Sequence, residues 1–96
     1  MTFAEGESPA HCHFYKAGKI CYVYFQGAAK THNANDTLFT LPSGYRPATQ
    51  TFAPFIKNAS TYGVVIINTN GSVYVSQIAD TTVSGRIYFN AVYVTS

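Results

Sequence analysis

Two prolines stand within the seven residues Leu41-Pro42-Ser43-Gly44-Tyr45-Arg46-Pro47. Each fixes φ at about −65° and removes a backbone donor. Between them, Gly44 is free to take positive φ, a conformation that turns use and that residues with a side chain avoid. A central strand cannot run through such a segment, because its ladder would lack donors. The stretch therefore reads as a rigid elbow between two strand-forming halves, with Tyr45 and Arg46 at its bend. Tyr45 is expected to pack, and Arg46 to contact a carboxylate or backbone carbonyls.

Before the elbow, residues 11–27 read strand, turn, strand. Cys12-His13-Phe14-Tyr15-Lys16 is followed by Ala17-Gly18 as a two-residue loop and then by Lys19-Ile20-Cys21-Tyr22-Val23-Tyr24-Phe25. Aromatic and β-branched residues dominate both runs, and so short a loop sets the register. Period-two alternation puts Cys12, Phe14, Cys21, Val23 and Phe25 on one face, the expected core side. His13, Tyr15, Ile20, Tyr22 and Tyr24 fall on the other, a tyrosine-rich face that suits a subunit interface. With that loop, Phe14 lies opposite Cys21 and Val23 opposite Cys12. The two sulfurs then share a face but stand too far apart for an unstrained disulfide, so free, buried thiols are expected.

Residues 28–36, with Lys30, His32, Asn33, Asn35 and Asp36, form the longest polar loop. A short strand over 37–41 enters the elbow, and a run over 50–57 leaves it, demoted by Pro54 to an edge or bulged strand. After a turn at 58–61 come runs at 62–67 and 72–77 flanking Asn68-Thr69-Asn70-Gly71, and Asn-Gly between β-branched runs is a strong hairpin signal. Pairing around Asn70-Gly71 puts Val64, Ile66, Val73 and Val75 on one face, with Val65, Ile67 and Tyr74 on the other. A loop over 80–85 and a closing strand over 86–95 complete the chain, with Ile87, Phe89, Ala91 and Tyr93 as the inner face. No segment has the i, i+3, i+4 apolar spacing of a helix. The pattern predicts one all-β domain over 11–96, an antiparallel sandwich or barrel of about seven or eight strands, preceded by a linker over 1–10.

Charge narrows the function. Only 10% of the 96 residues are charged and 47% are hydrophobic, against about 25% charged in an ordinary soluble domain. So little charge implies that a partner chain covers part of the surface, and an oligomer is expected. The net charge of +2 is spread along the chain without a basic stripe, which argues against nucleic acid. No apolar run nears the roughly 18 residues of a membrane-spanning helix, and the first seven residues lack the basic and apolar regions of a signal peptide. A soluble chain with no export address and no membrane insertion is expected.

Catalytic groups are scarce. On a strand, His11 and His13 point away from Cys12, so the three cannot share one metal ion. His32, Asp36 and Ser60 or Ser84 have no nucleophile-elbow context, and Glu5 and Glu7 fall in the linker, leaving Asp36 and Asp80 as the domain's carboxylates. No enzymatic activity, cofactor or metal is expected.

The elbow at 41–47, the run ending near Ile56, the stretch Gly63-Val64-Val65-Ile66-Ile67-Asn68-Thr69-Asn70-Gly71-Ser72-Val73 and a final tyrosine-rich strand together are motifs with a family likeness. Over residues 12–96 the chain resembles the C-terminal head domains of tail-fibre and baseplate receptor-binding proteins from phages of Gram-positive bacteria. The resemblance implies a jelly-roll-like head, a homotrimer about the fibre axis, attachment to the rest of a tail fibre or baseplate on the virion, and non-catalytic binding of host cell-wall saccharide. It fixes no contact residue by position. From the residues themselves, His32, Asn35 and Asp36, with Tyr62 and Arg86, are the expected ligand-binding set, since sugars bind planar amide and carboxylate groups beside an aromatic face. Two other readings stand beside this one: a structural trimerisation or tip module without a ligand, and a stand-alone lectin-like domain.

Overall fold

A computed structural model of the chain describes residues 2–3, 11–27, 31–57, 61–79 and 85–95. They form β1 (Thr2–Phe3), β2 (His11–Ala17), β3 (Ile20–Gln26), β4 (Thr37–Thr40), β5 (Thr51–Lys57), β6 (Thr61–Ile67), β7 (Ser72–Ile78) and β8 (Ile87–Val94). All pair antiparallel in one sheet of order β1-β4-β7-β6-β5-β8-β3-β2, and no helix occurs among the described residues. β2 to β8 are the seven strands that alternation and turn residues predict. β1 was not among them: Thr2 pairs with Thr40 and Phe3 with Phe39, inside a stretch that reads as linker. The rest of that linker, and the loop positions 28–30, 58–60 and 80–84, lie outside the described residues.

The sheet curls into a half-barrel. β3 and β4 stand five positions apart in the strand order, about 24 Å in a flat sheet at ~4.8 Å per strand. Yet the rings of Phe25 on β3 and Phe39 on β4 have centroids 4.9 Å apart. Phe89 on β8 joins them, 5.4 Å from Phe25 and 6.4 Å from Phe39. The arm β4-β7-β6-β5 must therefore fold over to face the arm β8-β3-β2. The fold line is where β5 meets β8, through only Ile56 with Tyr88 and Lys57 with Ile87. Pro54 occupies the part of β5 with no partner on that side, where its missing donor costs nothing.

Inside the curl, alternation delivers the core. β8 buries Ile87, Phe89, Ala91 and Tyr93, as its sequence predicts, and β3 buries Cys21, Val23 and Phe25. Neither cysteine is in a disulfide; Cys21 is fully buried and Cys12 half-buried. β5 turns Ala53, Phe55 and Lys57 inward, and Lys57 is completely buried.

Both hairpins form where expected, but each has a different register. In the first, the loop is Gly18-Lys19: Ala17 pairs with Ile20, Phe14 with Val23 and Cys12 with Phe25. Gly18 has φ of +60°, so the glycine takes the first loop position, as in a type II′ turn, and not the second. The resulting shift of two residues leaves both faces as predicted, while Cys21 faces Lys16 and not Phe14. In the second hairpin, Gly71 N donates to Asn68 O at 2.9 Å and Asn68 N to Ser72 O at 2.9 Å, so the loop has three residues, ending on Gly71 at φ +92°. Ile67 then faces Val73 and Val65 faces Val75, and these four fill the core. The sequence pairing groups Val64 and Ile66 with Val73 and Val75; a one-residue slip puts Val65 and Ile67 on that face in their place. Farther along, β7 carries one extra residue, so that Val64 pairs with Gln77 and Gly63 with Ile78.

The elbow closes the curl. On one side Leu41 N donates to Gly71 O at 2.8 Å, and Arg46 Nε donates to Leu41 O at 3.1 Å, the carbonyl contact expected of it. On the other side Ala48 N donates to Val94 O at 2.9 Å, and Pro47 bridges Thr95. Tyr45 packs on Phe14 with centroids 5.1 Å apart, and its carbonyl accepts the Tyr93 hydroxyl at 2.6 Å. The two proline-fixed turns thus strap the tip of the β6–β7 hairpin to the end of β8.

Candidate functional site

The β7 bulge lies beside a groove of about 370 Å³, lined by Pro54, Tyr62, Gly63, Val64, Gln77, Ile78 and Ala79. Backbone geometry builds it. Pro54 pairs with Val64 and Ile56 with Tyr62, which places these side chains on the outer side of the sheet, opposite the inward Phe55. Ala79 N donates to Tyr62 O at 3.0 Å and ties the end of β7 to β6. At Gly63 the strands approach so closely that a Cβ would sit 2.0 Å from the Gln77 carbonyl oxygen. Tyr62 is 71% exposed, so its ring stands free at the groove. Its hydroxyl and the Gln77 amide are the polar side-chain groups of the lining. An aromatic face beside an amide, on an apolar floor, can hold a ligand by stacking plus a few directional bonds.

Of the residues the sequence nominates, Tyr62 alone lines this groove. His32 is fully buried, with its Nδ1 2.8 Å from Lys57 Nζ. The imidazole sits beneath the surface a ligand would touch. Asn35 is exposed at φ +71°, and its N–H donates to Val75 O at 2.6 Å. The Asp36 carboxylate accepts the Asn33 N–H at 2.9 Å, closing a tight turn. Arg86 donates from Nη1 to Gly27 O at 2.8 Å, tying the start of β8 to the end of β3. Asn35 and Asp36 are thus neighbours on the β4 approach, and the other three are held elsewhere.

Compared with models of known protein families and with curated proteins, the chain matches none.

Sequence reasoning missed Pro54, Gln77 and Ile78 as groove residues. Pro54 carried a usable signal, since a proline in a strand marks an unpaired side. Gln77 carried none, because it reaches the groove through an extra residue in β7 that no local pattern announces. Lys57 was also missed, although Ala53, Phe55 and Lys57 share one parity and two of them are plainly apolar.

A second surface lies on the outer side of β2, β3 and β8. Tyr15 is 65% and Val92 63% exposed, and Ile20 and Val94 are exposed beside them. Val92 pairs with Tyr22, which stacks on Tyr15 at 6.2 Å, and Tyr24 stacks on His13 at 6.3 Å. This is the tyrosine-rich face that the alternation predicts.

Proposed function

We propose that this chain is a non-catalytic receptor-binding head of a phage tail fibre or baseplate, which recognises saccharide on the surface of a Gram-positive host. The supporting observation is the Tyr62 ring, exposed beside an apolar groove with one amide on its wall. Such a site fits the C–H face of a sugar and a small number of its hydroxyls, and the motifs of the elbow and the Asn70-Gly71 hairpin supply the phage context. The outer face of β2, β3 and β8 packs copies of the chain into a homotrimer on the virion tail, which turns weak single sites into avid binding. Fluorescently labelled chain is expected to adsorb saturably to host cells, and to purified wall polysaccharide, with loss of binding in Tyr62→Ala. Absence of adsorption to any Gram-positive wall preparation overturns the proposal.

A second reading is favoured by the apolar face itself: a trimerisation module whose function is to pack subunits. It is expected to give a trimer by light scattering with no adsorption to cells.

A further inference from the structure

We propose that the Tyr62 groove takes an uncharged N-acetylated hexosamine, its sugar ring stacked on Tyr62 and its acetamido group received by Gln77 and the apolar wall. This rests on the receptor-binding reading and assigns that site a ligand class.

Charge comes first. Among the described cationic residues, none lines the groove. Lys16 donates to Gly44 O, Arg46 to Leu41 O and Arg86 to Gly27 O, Lys57 points into the core, and Lys19 lies in the β2–β3 turn. Lys30 is outside the described residues. Phosphate or carboxylate groups of anionic wall polymers would find no counter-charge among the described residues of the lining.

Polarity narrows the sugar further. Pro54, Gly63, Val64, Ile78 and Ala79 bring no polar side-chain atom to the lining. A plain hexose would press hydroxyls against this wall and leave them without partners, which costs affinity. An acetamido group places a methyl there instead, and its N–H and C=O match the acceptor and donors of one primary amide, which Gln77 supplies. The volume of about 370 Å³ is near the lower end of the roughly 300–1,000 Å³ usual for small-molecule sites, and suits one terminal sugar.

The test is an NMR titration of the 96-residue chain with the methyl glycosides of N-acetylglucosamine, N-acetylgalactosamine, glucose and rhamnose, and with glycerol phosphate. Each is used up to about 10 mM, which nearly fills a site with a Kd of about 1 mM. At least one N-acetyl sugar is expected to shift Tyr62, Val64, Gln77 and Ile78, and to bind roughly tenfold or more tighter than glucose or rhamnose. Glycerol phosphate is expected to leave these signals in place. Tyr62→Ala and Gln77→Ala should each abolish the shifts while the remaining spectrum stays native. Equal or tighter binding of glucose, rhamnose or glycerol phosphate overturns the N-acetyl assignment and leaves the receptor reading standing. Adsorption to cells without shifts in the groove does the same, whereas no saccharide binding and no adsorption defeats both.

Discussion

A methyl group at position 63 would lie 2.0 Å from the Gln77 carbonyl oxygen and 2.7 Å from the Phe55 ring. The oxygen belongs to backbone, so no rotamer change relieves the contact, and Gly63→Ala is expected to cost about 3 kcal/mol or more. Thermal unfolding followed by circular dichroism should show Tm lower by more than about 10 °C for a domain of this size. The buried Lys57–His32 pair calls for a different experiment. Removing one partner alone leaves the other buried in an altered polar environment, so Lys57→Met and His32→Leu are each expected to destabilise by about 2–4 kcal/mol. The double variant should lose less than the sum by at least about 1 kcal/mol, a difference that a denaturant-unfolding cycle measures. Cys12 gives a chemical readout of the half-buried face of β2. Its thiol is pushed up from 9.0 to about 11, chiefly by burial. The fold favours the neutral form, so this contribution to stability is complete below pH 9 and is lost as pH rises through about 11. At pH 8 the native chain holds about a hundredfold less thiolate at this position than an exposed cysteine, and iodoacetamide should label it correspondingly slowly until urea is added. Residue parity was legible for β3 and β8, because each alternates without interruption. What each inward residue meets across the curl was not, and His32 against Lys57 is the clearest instance: two polar residues 25 apart in sequence become one buried pair.

At the scale of elements, the strands were legible and their registers were not. β-Branched and aromatic runs bounded by glycine, proline and asparagine mark all seven longer strands, since both signals are local. Register depends on which loop residue takes positive φ, and the sequence offers more than one solution. Gly18 took the first loop position where the second was expected, a shift of two that moved partners without moving faces. Gly71 closed a three-residue loop where a two-residue loop was expected, and the odd shift turned β6 over. The same glycine is where hairpin and elbow meet: a Cβ there would stand 2.7 Å from Leu41 O and 2.8 Å from Arg46 Nε, on a residue already at φ +92°. Gly71→Ala therefore combines backbone strain with a clash, and is expected to cost about 2–4 kcal/mol. Because Leu41 N donates to Gly71 O, native-state hydrogen exchange at the Leu41 amide should accelerate more than exchange at core amides of β3.

For the whole molecule, the order β1-β4-β7-β6-β5-β8-β3-β2 follows from contacts between distant parts of the chain, such as Thr95 Oγ1 donating to Lys19 O across 76 residues. Local patterns cannot encode such pairings, so sequence reasoning reached an antiparallel all-β sandwich or barrel of about seven or eight strands without the strand order. Sparse charge has a counterpart in the exposed apolar residues of the outer face. The curl has a single inner face, and once Phe25, Phe39, Phe89 and their neighbours fill it, the apolar residues of opposite parity on β2, β3 and β8 remain outside. Tyr15, Ile20, Val92 and Val94 have no covering element among the described residues. Leaving such a face in water is unfavourable and promotes association, which is the physical basis for the proposed trimer. Val92 provides the discriminating substitution: at 63% exposure its replacement removes little core packing, and its neighbours on the face are Tyr22 and the exposed Val94. Light scattering of the wild-type chain is expected to give a trimer. Val92→Lys should give a monomer with an unchanged circular dichroism spectrum, because a charge buried without a partner between subunits costs more than the contact returns. A wild-type monomer, or a Val92→Lys variant that remains trimeric, would remove this face as the site of assembly.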